Sequence, residues 1–104
     1  MKLISIENYP GKQFEVIGLV KGTIVQTKNL GRDFMAGMKS LVGGELVGYT
    51  EMLNEARQLA TKRMVDEAES LGADAIIGVR YGSSQVMQGA AEVVAYGTAI
   101  KFTE

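Results

Sequence analysis

Met35 and Met38 stand one helical turn apart and form the single Met-x-x-Met of the sequence. Thioethers bind Cu(I) and Ag(I), so this pair is the soft-metal constellation open to the chain. Cysteine and histidine are both absent. Thiolate and imidazole are the usual ligands of zinc, copper and haem iron, and the usual nucleophile and general base near neutral pH. Both methionines also fit one apolar helix face with Phe34 and Leu41, where they would fill gaps in a core. Two thioethers without a third ligand hold metal weakly, and the core reading is the better supported.

Oxygen donors are the other resource. Asp66, Glu67 and Glu69 cluster late in a helical stretch, and clustered carboxylates are hard-cation ligands. At that spacing, however, the side chains splay around the helix, and Lys62 and Arg63 lie one turn back to pair with Asp66 and Glu67. A solvated face is the simpler account. Asp74, between Gly72-Ala73 and an apolar run, suits an Asx-turn ahead of a strand better than a catalytic role. Glu92 opens another apolar strand and on a single chain is an ordinary edge charge.

Gly43-Gly44-Glu45 precedes the longest helical pattern. Free backbone N–H groups at a helix start attract anions, glycine lets a ligand approach, and Arg32 could supply a counter-charge. The alternative is a sharp corner needing φ > 0, with Glu45 in a favourable first turn. No Gly-x-Gly occurs, and no Gly is followed by Lys and then Ser or Thr, so phosphate fingerprints are lacking. Gly-x-Ser-x-Gly and Ser-x-x-Lys are missing as well. The sequence thus points to a non-enzymatic protein with no cofactor.

The elements that must carry these residues are legible. From Glu45 to Leu71, apolar side chains recur at Tyr49, Met52, Leu53, Ala56, Leu59, Ala60, Met64, Ala68 and Leu71, the spacing of one helix face. Gly72 is its stop. The alanines let this helix lie close to a sheet. A shorter helix is expected over Leu30–Val42 with Asn29 as N-cap, separated from the long one by Gly43-Gly44. Strands are expected at Phe14–Val20, which can continue through Thr23-Ile24-Val25, at Ala75–Tyr81, and at Glu92–Phe102. The last two are joined locally, which predicts an antiparallel hairpin. The third strand is apolar on both faces and belongs in the middle. The expected fold is α+β, a two-layer β-α-α-β-β protomer whose three-stranded antiparallel sheet has the order 1-3-2 under the long helix. Its two edges call for cover, which a neighbouring subunit can provide.

One domain accounts for residues 1–104. Eleven basic against twelve acidic residues lack the basic surplus that nucleic acid or anionic lipid requires. No apolar run reaches the roughly 20 residues of a membrane span. With no disulfide possible, a cytoplasmic protein is expected.

Arg32-Asp33-Phe34, Gly43-Gly44-Glu45 and Ala56-Arg57 form one set of signals; Leu71-Gly72-Ala73-Asp74-Ala75-Ile76-Ile77-Gly78-Val79 and Tyr96-Gly97-Thr98-Ala99 form another. Together they resemble the YbjQ-like family of small bacterial and archaeal proteins, over nearly the whole chain from about Phe14. The resemblance implies a ring-shaped homopentamer in which short extra strands help join subunits, of a family labelled heavy-metal-binding whose role is not established. A binding or scaffold protein is therefore the leading expectation. The alternatives are a metal site of oxygen ligands repeated around the ring, with Glu92 the first candidate, and an enzyme or binder for a small anion at Gly43-Gly44.

Overall fold

Met52, Ala56, Ala60, Met64 and Ala68 recur every fourth residue, and all five are at most 1% exposed. They are the inner stripe of helix α1 (Val47–Ser70). The computed structural model describes residues 1–27, 41–42 and 45–103, with side chains from residue 50 onward in the last stretch. α1 ends as Gly72 adopts φ 76°. Gly72 N–H donates to Glu69 O at 3.0 Å and Ala73 N–H to Ala68 O at 3.0 Å, which is the Schellman closure a C′ glycine permits.

Among the described residues six strands accompany α1: β1 (Lys2–Leu3), β2 (Phe14–Thr27), β3 (Leu41–Val42), β4 (Glu45–Leu46), β5 (Ala75–Met87) and β6 (Ala90–Phe102). The main sheet runs β1-β5-β6-β2, with β5–β6 and β6–β2 antiparallel and β1–β5 parallel. A three-stranded antiparallel sheet is therefore corrected to a four-stranded mixed one. The added strand is two residues long, too short for any alternation to announce it. β3 and β4 pair antiparallel, with Leu41 opposite Leu46 and Val42 opposite Glu45. This replaces the helical ends expected there: Leu41 and Val42 are strand residues, and the long helix starts at Val47, two residues after Glu45. β-branched Val42 next to a glycine pair is a poor helix end and a good strand. The remainder of the expected Leu30–Val42 helix lies outside the described residues.

Alternation along the strands decides which face meets α1. Val20, Ile24, Ile76, Val79, Val93, Ala95 and Ala99 join the helix stripe in the main core. The other face carries a second, smaller cluster of Ala75, Ile77 and Ile100, against which Ile4, Tyr9, Phe14 and Phe102 pack. The segment ahead of β2 thus folds back over one end of the sheet, with Tyr9 edge-on to Phe102 at a centroid distance of 4.9 Å. Ile4 N–H donates to Ile76 O at 3.0 Å, and Gly78 N–H to Ile6 O at 2.8 Å. Among the described residues no helix lies on the far end of that face.

The contact of α1 with β2 is backbone on backbone. A Cβ at Gly22 would sit 2.5 Å from Met64 N and 2.8 Å from Arg63 Cβ, and closer still to Ala60 O. Only glycine on the strand and alanine on the helix permit this approach.

Candidate functional site

Arg32, Gly43 and Gly44 of the anion candidate lie outside the described residues, as do Met35 and Met38. Glu45 belongs to β4, opposite Val42, rather than to the first turn of a helix. Its flanking role in a helix-start anion site is corrected accordingly, since residues on both sides of Gly43-Gly44 are strand.

Glu92 is described. It is half-buried on β6, opposite Val25 of β2 and Ser84 of β5, on the sheet face turned away from α1. No group of three or more His, Cys, Asp or Glu residues comes together among the described residues. With no cysteine or histidine in the chain, the described residues of one protomer do not fit a heavy-metal site, which needs three or four converging donors.

The acidic stretch of α1 divides its labour. Lys62 Nζ lies 2.9 Å from Asp66 Oδ2 across one helical turn. The hydrogen bond that Lys62 donates to that carboxylate, reinforced by the carboxylate's charge, raises the Lys62 ammonium above the ordinary lysine value. Glu67 leaves the helix surface instead, and its Oε1 accepts from Lys21 N–H at 3.0 Å. Arg63 donates to Thr23 O at 2.7 Å. Lys21 and Thr23 are two apart on β2, so their backbone groups point to the same side, away from β6. α1 thereby closes the middle of an otherwise open sheet edge, a task the sequence does not announce. Asp74 has a structural task too. Its N–H donates to Ile100 O at 2.8 Å, and its Oδ2 accepts from Phe102 N–H at 2.8 Å, a cross-strand tie in place of the expected Asx-turn.

Beyond the N-terminal wrap, the bare face is laid out in rows by the strand register. Leu19, Thr98 and Ile77 form one row; Lys21, Tyr96 and Arg80 the next; then Thr23, Val94 and Gly82; then Val25, Glu92 and Ser84. Leu19 is 68% exposed and Val25 54%, with Val86 and Met87 exposed at the β5 tip. Large apolar side chains in the open on one sheet face mark a surface made for contact. An open groove of about 570 Å³ lies beside β1, lined by Lys2, Ile6, Tyr9 and Pro10 among others. Neither Lys2 nor Tyr9 has a catalytic partner there. No helix among the described residues is long and apolar enough to cross a membrane.

Comparison with known proteins gives a consistent result. A model of the YbjQ family, described as "Putative heavy-metal-binding", matches residues 1–103. A UPF0145 protein of Clostridium novyi is 59% identical over 101 residues, spanning 97% of this chain and 98% of the relative. A UPF0145 protein of Thermotoga maritima is 56% identical over 102 residues, spanning 97% and 96%. In three dimensions the chain is similar to a crystal structure from Pediococcus pentosaceus, a protein of unknown function in the DUF74 family. The TM-score is 0.65 at 20% identity, with 98% of this chain and 97% of that one covered, a likeness of fold alone.

Proposed function

The chain belongs to the YbjQ family, and from that premise we propose that it works as a non-enzymatic, cytoplasmic binding or scaffold protein assembled as a closed homo-oligomeric ring, with five subunits the expected number. The bare sheet face carries this reading. Exposed Leu19, Val25 and Met87 form an apolar surface that a lone protomer would leave in water. β2 is an edge strand whose outward groups are met by α1 at Lys21 and Thr23. The distal part of β5, from Arg80 to Met87, has β6 on one side, while β1 reaches only Ala75 and Ile76 on the other. Among the described residues one protomer thus has two unlike sheet edges on opposite sides, distal β5 and the parts of β2 that α1 does not cover. Edges of that kind join head to tail, and a head-to-tail contact that closes makes a ring.

Native mass spectrometry and light scattering test the proposal. A pentamer of the 11.2 kDa chain has a mass of roughly 56 kDa as a closed cyclic assembly. A species of one chain at micromolar concentration would overturn it. Leu19→Glu and Met87→Glu place charges in the apolar surface and should dissociate the assembly without unfolding the protomer.

A further inference from the structure

We propose that Lys21, Tyr96 and Arg80 form a binding site for a small phosphate-bearing anion on the bare face of the sheet. All three side chains come from one protomer.

Two register shifts build the row. On β2, Val16 pairs with Ile100 and Gly18 with Ala99, which leaves Ile17 extra. On β5, Ile77 pairs with Thr98 and Arg80 with Tyr96, so Gly78 and Val79 together face Gly97. An extra residue reverses the face taken by every residue after it. Without the β2 bulge Lys21 would point at α1 and Val20 away from it. Without the β5 bulge Arg80 would point at α1 and Val79 away. With both bulges Val20 and Val79 lie in the core, and two cations stand on either side of one phenol. Gly78, at φ 63°, supplies the left-handed residue that the second bulge needs. Bulges of this kind commonly re-aim side chains at functional sites.

The donors are held and uncommitted. Arg80 Nη1 donates to Ser5 O at 2.6 Å and to Val79 O at 2.9 Å, which fixes the guanidinium. Its Nε–H and second amino group have no hydrogen-bond partner among the described residues. Tyr96 is 41% exposed, and its hydroxyl has no partner among those residues either. Lys21 gives its backbone N–H to Glu67, yet its ammonium makes no ion pair within the described residues, where Lys62–Asp66 is the pair formed. Neither cation sits over the Tyr96 ring; the cation–ring contacts found are Lys2 on Tyr9 and Lys12 on Phe102.

Adjacent strands are about 4.8 Å apart, so the Lys21 and Arg80 backbones are roughly 10 Å apart across Tyr96. Among the described residues Lys21 has the long, unpaired side chain of the row and can reach toward an anion seated on the phenol, while Arg80 stays held at Ser5 O and Val79 O. Gly82, in the next row, contributes no side chain to block it. Glu92 is four residues along β6 from Tyr96, roughly 13 Å away at strand rise. Glu7 lies beside Gly78 and is not ion-paired with Arg80. Phosphate suits this set because its several oxygens can accept from guanidinium, phenol and ammonium at once.

The test is calorimetric titration of the intact protein with pyrophosphate and with inorganic phosphate at low ionic strength, alongside Lys21→Gln, Tyr96→Phe and the distant control Lys12→Gln. All three variants alter exposed or half-exposed polar groups, and circular dichroism verifies that each folds. Saturable pyrophosphate binding is expected, weakened roughly three- to tenfold in Lys21→Gln and in Tyr96→Phe and unchanged in Lys12→Gln. Absence of saturable binding to the unmodified protein would overturn the proposal. Equal weakening in Lys12→Gln would also overturn it, since that result means diffuse attraction to surface charge.

Discussion

Replacing Gly22 by alanine adds one methyl group at the point where α1 touches β2. That methyl would lie 2.5 Å from Met64 N and 2.8 Å from Arg63 Cβ, with Ala60 O nearer still. A comfortable carbon contact is about 3.5 Å or more, so the helix must retreat by roughly 1 Å. The atoms in the way are backbone and the first side-chain carbon, which have no rotamer to escape into. Retreat also loosens Ala56, Ala60, Met64 and Ala68, all fully buried against the sheet. Overpacking usually costs about 1–3 kcal/mol, and an immovable neighbour puts this case at or above the upper end. For a domain of this size a loss of about 3 kcal/mol lowers the melting temperature by roughly 12 °C or more. Two further glycines calibrate the argument. At Gly97 a Cβ would meet Ile76 Cγ2 at 2.7 Å and Ile77 O at 3.0 Å; the first is a movable methyl, so about 1–2 kcal/mol is expected. At Gly82 the nearest atom is Val94 Cγ1 at 3.5 Å, and alanine should be neutral within about 0.5 kcal/mol. Urea unfolding followed by circular dichroism, at one fixed protein concentration, measures all three. A Gly22→Ala protein as stable as the parent, or less affected than Gly82→Ala, would refute the backbone-on-backbone contact.

Ala60→Glu should be more damaging than Gly22→Ala, because a carboxylate would be sealed without a partner between helix and sheet at a site 0% exposed; thermal melting checks it, and unchanged stability would exclude this packing. Glu67→Met with Arg63→Met removes both caps from the β2 edge. The expected cost is about 1–3 kcal/mol, measured by urea unfolding. Asp74→Ala should cost about 1 kcal/mol through the lost acceptor for Phe102 N–H, measured by urea unfolding. Lys62→Met should leave the melting temperature nearly unchanged, since the pair with Asp66 is solvent-exposed. What little it contributes is present below the unfolded lysine value and fades as pH rises through the raised folded one. A drop of several degrees at neutral pH would contradict that.

The long helix is readable because Met52, Leu53, Ala56, Leu59, Ala60 and Met64 mix spacings of three and four, which share a helix face but not a strand face. Its stop was readable from Gly72 alone. The apolar cores of β2, β5 and β6 were readable from their β-branched residues, and the two-sided apolar pattern of β6 is matched by a neighbour on each of its sides. The far half of β5 was not, because Gly82-Ser83-Ser84-Gln85 is written in turn residues and becomes strand through its pairing with β6. β1 depends on a partner more than seventy residues away, and β3 and β4 are two residues each. Pairing of this kind is set by tertiary contact rather than by local pattern. The bulges were half visible. Gly18 and Gly78 marked the places, but only register shows which side chains the bulges redirect.

That redirection explains why the polar residues of this chain resisted assignment from sequence. Read without bulges, Lys21 faces α1 in place of Val20, and Arg80 falls among apolar neighbours as an apparent misfit. Read with them, each cation leaves the core to a valine and joins the bare face beside Tyr96. The same logic holds for Glu67, which looks like one of three solvated carboxylates until the edge of β2 is seen to pass beneath it. The acidic patch and the basic row are therefore products of one geometry. α1 sits close enough to β2, through Gly22, to lend the edge its side chains. The two bulges then fix which polar groups remain for the opposite face. Changing Gly22 should consequently disturb the caps at Lys21 and Thr23 together with the core, while leaving the β5 bulge, braced by Ile4 and Ile6 from the other side, in place.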